Sequence, residues 1–104
     1  MSTAEPAPVP EVTVYWRPGC PYCGSLRRGL RRAGVATVEI DIWSDDRARA
    51  FVRDHADGNE TVPTVAIAGT VLVNPSARRV VALAAESGIP TGPPGARRWW
   101  RPRA

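Results

Sequence analysis

The chain reads as an α/β domain: one four-stranded mixed sheet flanked by three helices, in the order βαβαββα. Three observations predict it. The apolar pattern switches repeatedly between the alternation of a half-buried strand and the three-and-four spacing of an amphipathic helix. A strand, helix, strand opening requires a parallel pair with a right-handed crossover. Two short β-branched runs late in the chain, separated by Ala68-Gly69, read as a hairpin that adds antiparallel strands to the same sheet.

The first strand is Val12-Thr13-Val14-Tyr15-Trp16, β-branched and aromatic, and Pro18-Gly19 breaks it. From Pro21 to about Ala33 the apolar positions Cys23, Leu26, Leu30 and Ala33 mark one helix face, while Arg27, Arg28, Arg31 and Arg32 fill the other. Gly34 closes that helix. Val35 to Ile42 alternates as a second strand. Ser44 then reads as the cap of a helix from about Asp45 to His55, with Ala48, Phe51, Val52 and His55 facing inward. Asp57-Gly58-Asn59 ends it. Val65 to Ile67 and Thr70 to Val73 form the hairpin, and Asn74-Pro75-Ser76 starts a last helix, Ala77 to about Glu86, with Val80, Val81 and Ala84 inward.

The 104 residues suit one small domain, placed at 11–87, between a flexible segment at 1–10 and a Pro/Gly linker with an Arg/Trp tail at 88–104. No stretch approaches the roughly 20 apolar residues of a membrane span, and the first ten residues lack a signal-peptide pattern, so a cytoplasmic location is expected. The net charge of +4 is unevenly placed: ten Arg face ten carboxylates over residues 1–95, and the other four Arg lie at 97, 98, 101 and 103. A neutral domain does not offer the electrostatic footprint of a nucleic-acid binder.

Cys20 and Cys23 are the whole cysteine complement. A disulfide between them would close too short a loop to staple the fold. A structural zinc site wants four ligands, and the chain supplies two Cys and one His, so no metal is expected. Redox exchange is the chemistry that fits. Cys20 stands at the start of a helix, where unpaired N–H groups and the helix dipole favour an anionic sulfur. Pro21 suits the first turn, and Arg17 adds positive charge nearby. Cys23, one turn deeper on the apolar face, should be less exposed. Cys20 is therefore read as the nucleophile and Cys23 as the resolving thiol.

With Cys20-Pro21-Tyr22-Cys23 after a first strand, Thr61-Val62-Pro63 before a third, and a short final helix, residues 11 to 87 resemble a glutaredoxin of the thioredoxin-like fold. Within that group, the run from Gly58 to Val65 and the later Asn74-Pro75-Ser76 are most similar to the mycoredoxins. The resemblance implies a thiol-disulfide oxidoreductase with no bound cofactor and with mycothiol, otherwise glutathione, as co-substrate. In the implied reaction Cys20 attacks the mixed disulfide of a protein and the small thiol. The protein thiol leaves and the small thiol stays on Cys20 until a second small thiol or Cys23 displaces it. The resemblance also implies a cis bond before Pro63 and a pairing of Val62 with the substrate backbone. Arg17, Tyr22, Thr61, Val62, Pro63, Asn74 and Ser76 are thus candidate binding residues, with Ser76 and the N–H groups after it suited to a carboxylate.

Two alternatives stay open at this level: a carrier bridging an iron–sulfur cluster between two subunits through Cys20, and a hydrogen donor to one specific reductase. Pro21 weighs against the carrier, since cluster binders usually carry a smaller residue there. His55 reads as packed or capping, and the four α-helical arginines after Cys23 read as a solvated face. Tyr22 should be exposed. The chain is expected to act as a monomer. For the tail, peripheral membrane contact through Trp99, Trp100 and their arginines is the weaker reading against a disordered end.

Overall fold

The computed structural model describes residues 11–91, so the expectations for segment 1–10 and for the Arg/Trp tail lie outside the described residues. Seven elements follow one another: β1 (Val12–Trp16), α1 (Pro21–Arg32), β2 (Thr37–Asp41), α2 (Asp46–His55), β3 (Thr64–Ile67), β4 (Thr70–Val73) and α3 (Ala77–Glu86). The sheet order is β2-β1-β3-β4. β1 pairs parallel with β2, Val12 opposite Thr37, and antiparallel with β3, Val12 opposite Ile67. β3 and β4 close the sheet as an antiparallel hairpin. This is the mixed four-stranded sheet with three helices that the patterning predicts.

β1 is central because it pairs on both edges, with one face buried and the other half-covered. Val12 and Val14 enter a core with Leu26 and Leu30 of α1, Val65 and Ile67 of β3, and Val80 and Ala84 of α3. On the other face Tyr15 packs its ring 4.9 Å from that of Phe51 in α2. A second, smaller core gathers Cys23, Ile42, Ala48, Val52 and Val62, so the redox motif is tied to the packing of α2 and of the loop before β3.

Several local expectations are corrected. The N-cap of α2 is Asp45, whose side chain accepts from the Ala48 N–H at 3.0 Å. Ser44 does not cap the helix, because its hydroxyl turns back to Asp41 at 3.3 Å. β2 covers 37–41 rather than 35–42, β3 begins at Thr64, and α1 ends at Arg32 with Ala33 as its C-cap, Gly34 following at φ +73. His55 is exposed rather than inward: its ring lies 4.4 Å from Phe51, and Nδ1 is 2.9 Å from the Phe51 carbonyl oxygen. Arg27 is not part of a solvated face. It pairs with Glu39 at 2.9 Å and lies 4.6 Å over the Trp16 ring, linking α1 to the sheet. Ile89, assigned by pattern to the linker, is buried in the main core, and its N–H donates to the Ala84 carbonyl at 2.9 Å.

Two backbone positions carry testable consequences. α1 and α3 approach so closely that a Cβ at Gly29 would lie 2.7 Å from the Ala77 Cβ. Gly29→Ala should therefore lower stability by about 1–2 kcal/mol in urea unfolding, overpacking outweighing the gain in helix propensity. Adding Ala77→Gly should recover most of the loss. In the hairpin, Ala68 and Gly69 both have positive φ, +47° and +86°. An alanine is strained there and an asparagine is not, so Ala68→Asn should raise the unfolding free energy by about 0.5–1 kcal/mol.

Candidate active site

The end of β1 delivers the chain to a turn at Arg17–Gly19 and then to Cys20, the N-cap of α1, in an extended conformation at φ −92° and ψ 109°. Pro21 takes the first helical position, where its missing N–H costs nothing. One turn on, the Cys23 N–H donates to Cys20 Sγ at 3.3 Å, so the sulfur occupies the place a serine or aspartate oxygen takes in an ordinary cap. Cys20 Sγ also lies 3.7 Å from the Val62 carbonyl oxygen, which a thiol proton on Cys20 can reach. Both cysteines are free.

The pair is asymmetric. Cys20 is partly exposed, whereas Cys23 is 1 % exposed and sits among Ile42, Ala48, Val52 and Val62. Burial, with a smaller contribution from hydrogen bonding to Cys20, pushes the Cys23 thiol up to about 12. The Arg17 backbone and the Arg17 charge pull the other way and are outweighed.

Cys20 lies on the wall of an open groove of about 530 Å³ bounded by Arg17, Gly19, Pro21, Tyr22, Asn59, Glu60, Thr61, Val62 and Asn74. Three segments meet there: the turn after β1, the loop before β3, and the start of the loop after β4. Several contacts hold them. The Asn74 N–H donates to the Pro63 carbonyl at 2.8 Å, tying the third segment to the second. The Thr64 hydroxyl donates to the Thr61 carbonyl at 2.8 Å, and Arg53 of α2 grips the Glu60 carboxylate, with Nε at 3.1 Å. The Val62–Pro63 peptide bond is cis.

Of the nine residues singled out from sequence, Arg17, Cys20, Tyr22, Thr61, Val62 and Asn74 line this groove. Cys23 and Pro63 are buried behind it. Ser76 is not on the groove wall. It caps α3, its Oγ accepting from the Arg79 N–H at 3.2 Å, and lines an adjoining hollow of about 230 Å³ with Tyr22, Ser25, Leu26, Asn74, Pro75 and Ala77. Tyr22, 69 % exposed, stands between the two spaces and borders both. Pattern reasoning missed Asn59 and Glu60 as wall residues, although both lie in the 58–65 run that carries the family resemblance.

The sequence model of the Glutaredoxin family matches residues 12–72. The chain belongs to the glutaredoxin family. It is 40 % identical over 72 residues to Mycoredoxin 1 of Corynebacterium glutamicum, a match covering 68 % of this chain and 89 % of that one. Among solved structures it is similar to the crystal structure of a thioredoxin-like protein, with a TM-score of 0.62 and 30 % identity, over 70 % of this chain and 99 % of that one. It is also similar to the solution structure of glutaredoxin from Brucella melitensis, with a TM-score of 0.56 and 30 % identity, over 79 % and 86 % of the two chains. This glutaredoxin-family chain is a thiol-disulfide oxidoreductase whose chemistry needs no bound cofactor and draws on a low-molecular-weight thiol. Among the described residues no helix is long and apolar enough to cross a membrane.

The state of Cys23 makes a prediction with a definite sign. In the folded protein the thiol stays protonated until about pH 12, while in the unfolded chain it ionises near its ordinary value of 9.0. The contribution is therefore fully present below pH 9 and is lost as pH rises from 9 towards 12. Unfolding free energy of the reduced protein should fall by up to about 1.4 kcal/mol per pH unit in that window. Burial also raises the Tyr15 hydroxyl, helped by nearby Asp45, which adds a loss of the same sign above pH 10. The Cys23 share is the difference between wild type and Cys23→Ala, whose profile should be flatter between pH 9 and 10.

Proposed function

We propose that this protein reduces mixed disulfides between proteins and mycothiol, acting as a cytoplasmic monomer in which Cys20 alone carries turnover. The observation behind the single-thiol route is the contrast between the two sulfurs. Cys20 faces a groove open to a bulky disulfide and takes an N–H from the helix start, whereas Cys23 is buried and holds its proton. At neutral pH burial keeps Cys23 protonated, and it is the thiolate that attacks.

The exchange balances without any other reactant. The Cys20 thiolate attacks the mycothiol sulfur of the mixed disulfide; the S–S bond breaks and its electron pair leaves with the protein thiolate. Mycothiol is then bonded to Cys20. A second mycothiol thiolate attacks the mycothiol sulfur of that adduct, releasing oxidised mycothiol and restoring Cys20. The protein sulfur is reduced to a thiol and the sulfur of the second mycothiol is oxidised to the disulfide level, while the mycothiol sulfur of the substrate stays at that level throughout; the proton given up by the second mycothiol balances the one taken up by the protein thiolate.

The groove supplies candidate roles for the remaining residues. The backbone of Val62 is offered to an extended substrate segment in the manner of an added strand, next to Thr61 and Pro63. Tyr22 and Asn74 lead from Cys20 into the second hollow, where Ser76 and the first N–H groups of α3 face the small thiol. The choice of mycothiol over glutathione rests on the relationship to Mycoredoxin 1.

The test is turnover of one model protein carrying either a mycothiol or a glutathione mixed disulfide. Cys20→Ser should lose all activity with both. Cys23→Ser should keep at least about half of the wild-type kcat with the mycothiol substrate, since Cys23 is not required by the single-thiol route. Activity with the glutathione adduct alone would remove the mycothiol assignment, and loss of turnover in Cys23→Ser would restore Cys23 as an obligatory resolving thiol.

A further inference from the structure

The largest apolar side chain left in the open beside the redox turn has no part in the reaction described so far. Trp43, immediately after β2 and its trailing Ile42, is 54 % exposed. The backbone that carries this indole is held in place. The Trp43 N–H donates to Asp41 Oδ1 at 2.9 Å, and the Trp43 carbonyl accepts from Arg49 Nη2 at 3.4 Å. Arg49 Nε also donates to the Ile42 carbonyl at 3.3 Å, and the Ile42 N–H donates to the Trp16 carbonyl at 2.9 Å, anchoring the turn to the end of β1.

Over that ring lies Arg17, its guanidinium carbon 5.8 Å from the ring centroid. Arg17 forms no ion pair among the described residues, and it lines the Cys20 groove. The other charged wall residue, Glu60, is already neutralised by Arg53. The groove's uncompensated charge is therefore the Arg17 cation. A long, free arginine side chain is costly to hold in one place, and a fixed aromatic face offsets that cost.

We propose that Trp43 is a positioning residue that holds the Arg17 guanidinium at the lip of the Cys20 groove, where the pair favours protein substrates with an acidic side chain beside the disulfide cysteine. Arg17 lines the Cys20 groove but not the Ser76 hollow that Tyr22 and Asn74 share with it. Arg17 and Cys20 line the same groove, so the cation faces groups docked at Cys20. This rests on the assignment of Cys20 as nucleophile, but it adds a selector that the exchange itself does not need.

The test uses the full chain with Cys23→Ser in every variant except the Cys20→Ser control, so that one thiol reacts. Alkylation by anionic iodoacetate and by neutral iodoacetamide gives a rate ratio that reports positive charge at Cys20 independently of general damage to the fold. Arg17→Ala should lower the iodoacetate-to-iodoacetamide ratio by about threefold or more, and 1 M salt should erase the difference. Trp43→Ala should reproduce most of that drop, and Trp43→Phe should restore the wild-type ratio. Two peptide mixed disulfides differing only in Glu or Gln next to the cysteine should show a Glu preference in kcat/KM that Trp43→Ala loses. A wild-type ratio in Trp43→Ala would overturn the positioning role, as would failure of Trp43→Phe to differ from Trp43→Ala. Equal turnover of the Glu and Gln peptides would overturn the selection. Cys20→Ser separates the two layers: if the remaining Cys23 alkylates as fast as Cys20 does in Cys23→Ser, the nucleophile assignment fails before the Trp43 proposal is reached.

Discussion

The hydrogen bond from the Cys23 N–H to Cys20 Sγ is the contact on which the rest of the site depends. It exists only if α1 begins at Pro21, so that Cys20 is the cap and Cys23 the third helical residue. That spacing gives two identical side chains opposite environments. The cap residue projects from the helix end towards a groove; the residue three positions on is carried round to the face that the helix buries. One sulfur is offered an N–H and solvent, and the other is stripped of both water and charge.

Helix burial is what keeps this contact in place. Leu26 and Leu30 continue the face begun by Cys23 and pack against β1, β3 and α3. The missing side chain at Gly29 allows α3 to come close enough that its first residue, Ala77, sits against the middle of α1. The same approach brings Asn74, Pro75 and Ser76 alongside Tyr22, Ser25 and Leu26 to form the second hollow. Stability and site geometry are thus one problem here: loosening the α1–α3 contact would also open the space that lies beside Cys20.

Much of the architecture was legible because local pattern and tertiary demand agree. Strand and helix periods, the hairpin at Ala68-Gly69, the Ser76 cap and the depth of Cys23 all follow from residue type and spacing. Where two local solutions compete, pattern is blind. Ser44 and Asp45 are both good caps, and the tie is broken by Asp41, which accepts from the Ser44 hydroxyl and leaves Asp45 to the helix. His55 has inward spacing but sits at the last residue of α2, beyond the layer that covers it. Arg27 falls among arginines that look alike in sequence, and only the nearness of Glu39 and Trp16 sets it apart. Ile89 is reached after Gly88, at φ +81°, turns the chain back onto the core.

The sequence by itself determined the reaction class: two cysteines a helical turn apart at a strand-to-helix junction, with unequal burial following from helix geometry alone. It also determined the sheet, because a strand–helix–strand unit followed by a tight hairpin has few ways to close. Only the tertiary structure decided what surrounds Cys20. Val62, Asn74 and Glu60 come from segments far from Cys20 in the chain, and their meeting with it depends on how loops are tied to one another across the sheet ends, which no periodicity encodes. For the same reason the partnership of Arg17 with Trp43 was invisible in the sequence. It joins the turns after two neighbouring parallel strands, and strand pairing, not chain distance, makes them adjacent.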